Sequence, residues 1–235
     1  MMPKAAVLAG AKLRSIAGED GDAPVETALH ASIYEELRRR MITGKITPGV
    51  SLSTRGLALE MGVSQMPVRD ALSRLAAEGA VQIRFKRKVE VAAMTAERFT
   101  DLFNCRQLLE PEAAVQALPY ITPALVKKLR EIDAALDAAM ENGDVIGYME
   151  RNFEFHFTLY RANRRPTLNR LIESLWLQFG PYMRVIYGRY GTANLVDQHR
   201  AALAAIEAGD AEGLRAAIAA DIGDGASLFG WEAEA

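Results

Sequence analysis

The 235-residue chain is poor in the residues that most often carry recognisable chemistry: one cysteine, two tryptophans and three histidines. A lone Cys105 excludes an intramolecular disulfide framework and suits a reducing cytoplasm. No apolar run reaches the roughly 20 residues that a membrane-spanning helix needs, so no membrane partner is expected. The short run Ala5 to Ala9 mimics a weak signal peptide, but residues 1–25, with their glycines and aspartates, read instead as a flexible tail. Nucleophile motifs, paired general acids and bases and phosphate-binding loops are also missing, which argues against a metal-dependent hydrolase or lyase. The length suits one large or two modest domains.

What is present is unevenly distributed. Residues 26–93 hold eleven Lys/Arg against seven Asp/Glu, whereas residues 94–235 hold fourteen against twenty. A basic N-terminal module on an acidic body fits a DNA reader with a separate regulatory part. The pattern Leu29, Ile33, Leu37, Met41, Ile42 predicts an amphipathic helix over Glu26 to Thr43, stopped by Gly44 and Thr47-Pro48-Gly49. Ser53 or Thr54 then caps a short helix carrying Leu57, Leu59 and Met61. Gly62 turns the chain and Ser64 caps a second helix, with Pro67 in its first turn and Gly79 at its end. In that helix Val68, Leu72, Leu75 and Ala76 form an apolar stripe, and Gln65, Arg69 and Ser73 share the opposite face. Two short helices joined by a glycine turn are a helix-turn-helix pattern. The β-branched flanks Ala80–Phe85 and Val89–Ala92 predict a hairpin wing tipped by Lys86, Arg87 and Lys88.

Residues 29–92 resemble the winged helix-turn-helix domain of GntR-type bacterial regulators. The residues that carry the resemblance are Ile46-Thr-Pro-Gly49, Leu57-Ala58, Gly62-Val63-Ser64, Pro67-Val68-Arg69, Ala71-Leu72, Arg74-Leu75 and Glu78-Gly79. The resemblance implies a homodimer whose two recognition helices enter successive major grooves of a palindromic double-stranded operator. It assigns DNA contacts to Arg55, Ser64, Gln65, Met66 and Arg69, with Lys86 and Arg87 on the wing. Arg69 suits bidentate capture of guanine, and Arg55 and Ser64 suit phosphates. Gln65 stands where relatives often carry Arg, and the wing tip lacks the usual glycine, so both operator preference and hairpin geometry are expected to differ.

After a linker near Ala93–Thr95 the pattern is helical, with helices expected at 96–117, 123–142, 145–162, 166–189, 194–208 and 211–229, and Pro181 kinking or shortening the fourth. This part, residues 96–230, is similar to the FCD-type effector-binding and dimerisation domain. The matching segments are Arg106–Glu110, Asn152–His156 with Asn163, His199-Arg200 and Ala208–Glu212. Many such domains hold a divalent metal with an Asp and three His. The corresponding set here is Asn152, His156, His199 and Asp221, which still offers two imidazoles and a carboxylate to Zn²⁺, Ni²⁺, Mn²⁺ or Fe²⁺. His199 and Asp221 stand ten residues before and twelve after Gly209, which brings them to similar heights on two antiparallel helices. Taken singly, His156 would be an interior histidine and His199 a surface one.

Arg106, on an otherwise apolar helix, suits either bidentate capture of an effector carboxylate or an ion pair with Glu110 one turn on. Asn152 suits a hydrogen bond to the effector as well as ligation. Tyr182, Arg184, Tyr187 and Arg189 suit a pocket wall, internal packing or a dimer surface. The family resemblance implies a small organic acid as effector: a sugar acid, a hydroxy acid, a dicarboxylate or an aromatic acid. The expected fold is therefore mainly α, with an N-terminal winged helix-turn-helix (26–93), a small β-hairpin wing and a C-terminal all-α bundle. The expected function is ligand-responsive, cytoplasmic transcription regulation. An architectural DNA-binding protein without an effector is the alternative.

Overall fold

The structure, a computed structural model, describes residues 25–84, 88–190 and 198–227. The expected N-terminal tail, the wing-tip residues Lys86 and Arg87 and the expected start of the 194–208 helix fall outside the described residues. The chain divides into two compact units, Met1–Arg40 with Pro48–Ala92, and Met41–Thr47 with Ala93–Ala235.

In the first unit, α1 (Val25–Ile42) buries Ile33, Tyr34 and Leu37 along one stripe. Helix α2 (Thr54–Met61) starts at Ser53, whose hydroxyl accepts from the Gly56 amide at 3.1 Å. It buries Leu57, Ala58 and Met61, and Leu59 is 84 % exposed. Two residues of helix rotate the side chain about 200°, so Leu57 and Leu59 cannot share an inner face. After Gly62 in the left-handed region comes α3 (Gln65–Ala77). Ser64 occupies the position before α3 with extended backbone, yet its side chain makes no capping bond, so the expected cap is positional only. Pro67, Val68, Ala71, Leu72 and Leu75 are buried, and Gly79 (φ 74°) lets the chain leave the helix as the Ala80 amide bonds the Leu75 carbonyl.

The wing strands β2 (Val81–Ile83) and β3 (Val89–Val91) pair antiparallel, with Gln82 opposite Glu90. A third strand, β1 (Ser51–Leu52), joins β3 on its other edge, giving the order β1-β3-β2. This strand was not anticipated.

The second unit is helical among the described residues: α4 (Ala96–Ala117), α5 (Pro123–Glu141), α6 (Val145–Tyr160), α7 (Pro166–Tyr190), α8 (His199–Ala208) and α9 (Ala211–Ser227), with short 3₁₀ turns after α4 and α6. Side-chain caps start four of them: Thr95 on Arg98, Thr122 on Leu125, Asp144 on Gly147 and Asp210 on Gly213. Pro181 does not end α7. A proline removes its own N–H bond and strains one carbonyl, and the helical run continues to Tyr190. The core joins Phe99 and Leu102 of α4, Leu136 of α5, Tyr148 of α6 and Phe179 and Tyr187 of α7. At Gly180 a Cβ would lie 2.3 Å from the Ile42 carbonyl oxygen, so only glycine lets α7 pass that close to the Met41–Ile42 backbone. Among the described residues no helix is long and apolar enough to cross a membrane.

Candidate functional site

The first candidate site is a surface. The buried stripe of α3 fixes its rotation, which leaves Gln65, Met66, Arg69 and Ser73 exposed. Internal contacts hold the helix in place from behind. His30 Nδ1 lies 3.1 Å from Asp70, the Tyr34 hydroxyl bonds Glu78, and the Arg74 guanidinium sits 3.5 Å over the Tyr34 ring. Burial and the Glu78 bond push the Tyr34 hydroxyl up to about 12. Arg40 ties α1 to α2 through Glu60 at 2.7 Å. Arg69, in contrast, has no partner among the described residues, and Arg55 is likewise exposed at the start of α2. On the wing, Arg84 and Lys88 flank Glu90. A rigid helix showing unspent polar groups beside a basic wing is chemically suited to a DNA groove.

The second candidate site is an interior cavity of about 40 Å³ in the second unit. Arg106 of α4, Asn152 of α6 and Asp221 of α9 form its polar wall, and Met149, Trp176, Phe179, Met183 and Tyr187 line the remainder. Asp221 also belongs to a cluster with His156 and His199. His156 Nε2 lies 3.1 Å from Asp221 Oδ2 and 3.3 Å from His199 Nε2, which is 3.7 Å from Asp221 Oδ1. Both histidines are almost fully buried.

The other ring nitrogens are held from behind. Tyr160 donates its hydroxyl proton to Glu110 at 3.0 Å, so its oxygen accepts from His156 Nδ1–H at 2.9 Å. His199 Nδ1 faces Asp133 at 3.4 Å. The Nε2 atoms therefore point at each other and at Asp221, an arrangement that calls for a shared proton or a cation. Burial works against the Asp221 charge, but the His156 hydrogen bond and the charges of His156, His199 and Arg106 outweigh it and hold the carboxyl at about 2. The Tyr160 hydroxyl is pushed well above its ordinary value by burial and by Glu110.

Arg106 takes the ion-pair reading. Its Nε donates to Glu110 at 2.5 Å, and its guanidinium lies 4.8 Å from the Trp176 ring centroid. Burial opposes the Arg106 charge, and Glu110 more than restores it, raising the pKa. Arg106 nonetheless remains a cavity wall. Tyr182 and Arg184 do not line the cavity, which corrects the expectation for both. The cavity face of α7 runs 176, 179, 180, 183, 187, and positions 182 and 184 rotate off it. The Tyr182 hydroxyl instead accepts from the Met94 amide at 3.0 Å, and Arg184 packs against Gly44.

Residues 29–91 match the model of the bacterial regulatory proteins of the gntR family, and residues 101–224 match the FCD domain. The chain belongs to the GntR family. The HTH-type transcriptional regulator McbR of Escherichia coli (strain K12) is 29% identical over 195 residues, covering 82% of this chain and 88% of McbR. The gluconate operon transcriptional repressor of Bacillus subtilis (strain 168) is 29% identical over 148 residues, 63% of this chain and 59% of the repressor. The solved structure of E. coli McbR/YncC superimposes with a TM-score of 0.81 at 28% identity, over 86% of this chain and 97% of that one. These relatives are regulators, not enzymes. This GntR-family chain is thus a DNA-binding transcription regulator with an FCD effector-binding domain.

In this GntR-family chain, sequence reasoning missed Tyr160 and Asp133 behind the two histidines and Trp176 on the cavity wall. Tyr160 follows His156 by one turn, as His156 follows Asn152, and that spacing could have revealed it. Asp133 interrupts the apolar face of Leu129, Ile132 and Leu136, which is also a readable signal. Trp176 carried none, because an aromatic on a helix stripe reads first as core.

Proposed function

We propose that the chain is a cytoplasmic, homodimeric regulator whose operator affinity is set by a small organic acid bound beside a divalent metal ion. Each copy reads half of a palindromic operator. Helix α3 enters the major groove, Arg69 grips a guanine, Gln65 addresses an adenine, and Met66 packs against base edges. Arg55, Ser64 and the wing-tip Lys86 and Arg87 hold phosphates. The exposure of Arg69 on a helix whose other face is fully packed supports this reading.

The donors in the second unit fit a metal. Atoms about 2.0–2.1 Å from a tetrahedral zinc stand about 3.3 Å from one another; the two Nε2 atoms are 3.3 Å apart and His156 Nε2 is 3.1 Å from Asp221. Asn152, one turn before His156, contributes a buried Oδ1 with no hydrogen-bond partner. Such an atom is expected to find a donor or a cation. Asn152, His156, His199 and Asp221 would hold Zn²⁺, Ni²⁺, Mn²⁺ or Fe²⁺, while Tyr160 and Asp133 orient the two rings. When bound, the ion supplies positive charge for the acid's carboxylate. Arg106 adds a second positive wall, already neutralised in part by Glu110. Acid binding and operator binding are then coupled, so each changes the affinity of the other.

The observation that carries the effector half of this reading is that Asp221 belongs both to the cluster with His156 and His199 and to the wall of a cavity lined by Asn152 and Arg106. Metal analysis of protein purified without a His-tag tests it. About one divalent ion per chain is expected in the wild type and little in His156→Ala; metal-free wild type that takes up none on addition contradicts the metal assignment.

A further inference from the structure

Resting on the effector reading above, we infer that Trp176 is an effector-binding residue, its indole N–H donating to an acid oxygen, and that the cavity selects a short monocarboxylic acid with an apolar body. Trp176 is 7 % exposed, and its Nε1 has no hydrogen-bond partner. A buried indole N–H normally finds an acceptor, so one left open on a cavity wall marks the place where a ligand atom completes it. The protein around the ring provides no substitute. Its neighbours are the rings of Phe153, His156 and Phe157 and the guanidinium of Arg106, which lies toward the ring face and is bonded to Glu110.

The rest of the wall sets the ligand class. Arg106 is occupied by Glu110, so it does not offer a free fork to a second carboxylate. The remaining surface carries Ile42, Met149, Phe179, Met183 and Ile222, and the Tyr187 hydroxyl there is already bonded to Tyr148, so a chain of hydroxyls finds few open partners. Burying unpaired hydroxyls costs affinity. The cavity, about 40 Å³, is small beside the roughly 300–1,000 Å³ of sites for drug-sized ligands, which favours a small acid. Together these favour acids of the size of propionate or butyrate over sugar acids and dicarboxylates.

The test uses the full chain loaded with Zn²⁺ and titrated with propionate, butyrate, succinate and gluconate by calorimetry. Zn²⁺ alone is titrated first into wild type and Trp176→Phe. In parallel, the indole N–H resonances of the wild type are followed by NMR; the sequence has only one other tryptophan, Trp231. The expected result is that propionate or butyrate binds, one indole resonance moves downfield, and Trp176→Phe loses about tenfold or more in acid affinity with Zn²⁺ affinity unchanged. Equal acid binding by wild type and Trp176→Phe, with both indole resonances unmoved, overturns the role of Trp176 and leaves the effector reading standing. Gluconate or succinate binding more tightly than the short acids overturns the ligand class. Zn²⁺ uptake with no acid bound overturns this inference and the acid assignment, and no uptake of either removes the effector reading as well. If Trp176→Phe fails to fold, the wild-type indole shift decides alone.

Discussion

The two units treat arginine in opposite ways. In the first, Arg69 stands in solvent on α3, with no partner among the described residues. In the second, Arg106 is 8 % exposed, bonded to a fully buried Glu110 and set against Trp176. An exposed guanidinium keeps its hydration and is free to exchange it for a base edge or a phosphate. A buried one must be neutralised in place, because an uncompensated interior charge costs far more than a pair gains. In the proposed function Arg69 therefore serves an external partner, and Arg106 is first a structural element that also gives the cavity a positive wall. The same contrast holds for histidine. His30 sits part-exposed beside Asp70, whereas buried His156 bonds Tyr160 and buried His199 faces Asp133, with their Nε2 atoms converging.

That contrast can be broken by experiment. The largest expected effect is at Glu110. Glu110→Leu leaves Arg106 buried and alone, and the second unit should lose about 3–5 kcal/mol in denaturant unfolding. The double variant Arg106→Met with Glu110→Leu should recover most of it, and a single-variant loss below about 1 kcal/mol would show that Arg106 is not held as described.

Next comes metal. Zn²⁺ at one hundred times its dissociation constant should stabilise the wild type by about 2.7 kcal/mol, seen as a rise in Tm. His156→Ala and His199→Ala should show no such rise. An equal rise in His156→Ala places the metal elsewhere.

On the first unit, Arg69→Ala should cost about 1–3 kcal/mol of specific operator binding in a mobility-shift titration. As an exposed, unpartnered residue it should change folding stability by less than about 0.5 kcal/mol. A large stability loss with binding intact would reverse the comparison.

The smallest effect concerns Tyr34. Its folded pKa of about 12 lies above its ordinary value of 10.0, so between those values the folded state holds a proton that the unfolded state gives up. The contribution is fully present below about pH 10 and is lost as pH rises through about 12. Thermal unfolding across that window should show a decline that Tyr34→Phe lacks.

Much of this architecture was legible because the signals are local. Thr122-Pro123, Asn142-Gly143-Asp144 and the Gly209 stop mark helix boundaries through capping and left-handed backbone, which depend on a few neighbouring residues. The recognition helix was equally clear from its stripe. Strand β1 was not, because two residues carry no alternation and Ser51 and Leu52 become a strand only by pairing with Glu90 and Val89, far along the chain. The cluster of His156, His199 and Asp221 was legible from the resemblance and from the distances of His199 and Asp221 to the Gly209 turn. The support behind it was missed: the spacing of Tyr160 and the placement of Asp133 hinted at it, but their contacts with Glu110 and His199 run between α4, α5, α6 and α8, which no single segment records. Tyr182 and Arg184 were expected at the cavity because their chemistry suits an acid. The rotation of α7 gives that face to Met183 and Tyr187 instead.

The central claim is that ligands of the second unit set the DNA affinity of the first. The direct measurement is fluorescence anisotropy on an operator selected by the protein from random duplexes, with Zn²⁺ present and with or without propionate. The expected result is a shift in Kd of about 5- to 150-fold, a coupling of about 1–3 kcal/mol, that vanishes in His156→Ala while its acid-free operator binding is retained. An operator affinity that does not respond to any bound acid would contradict it.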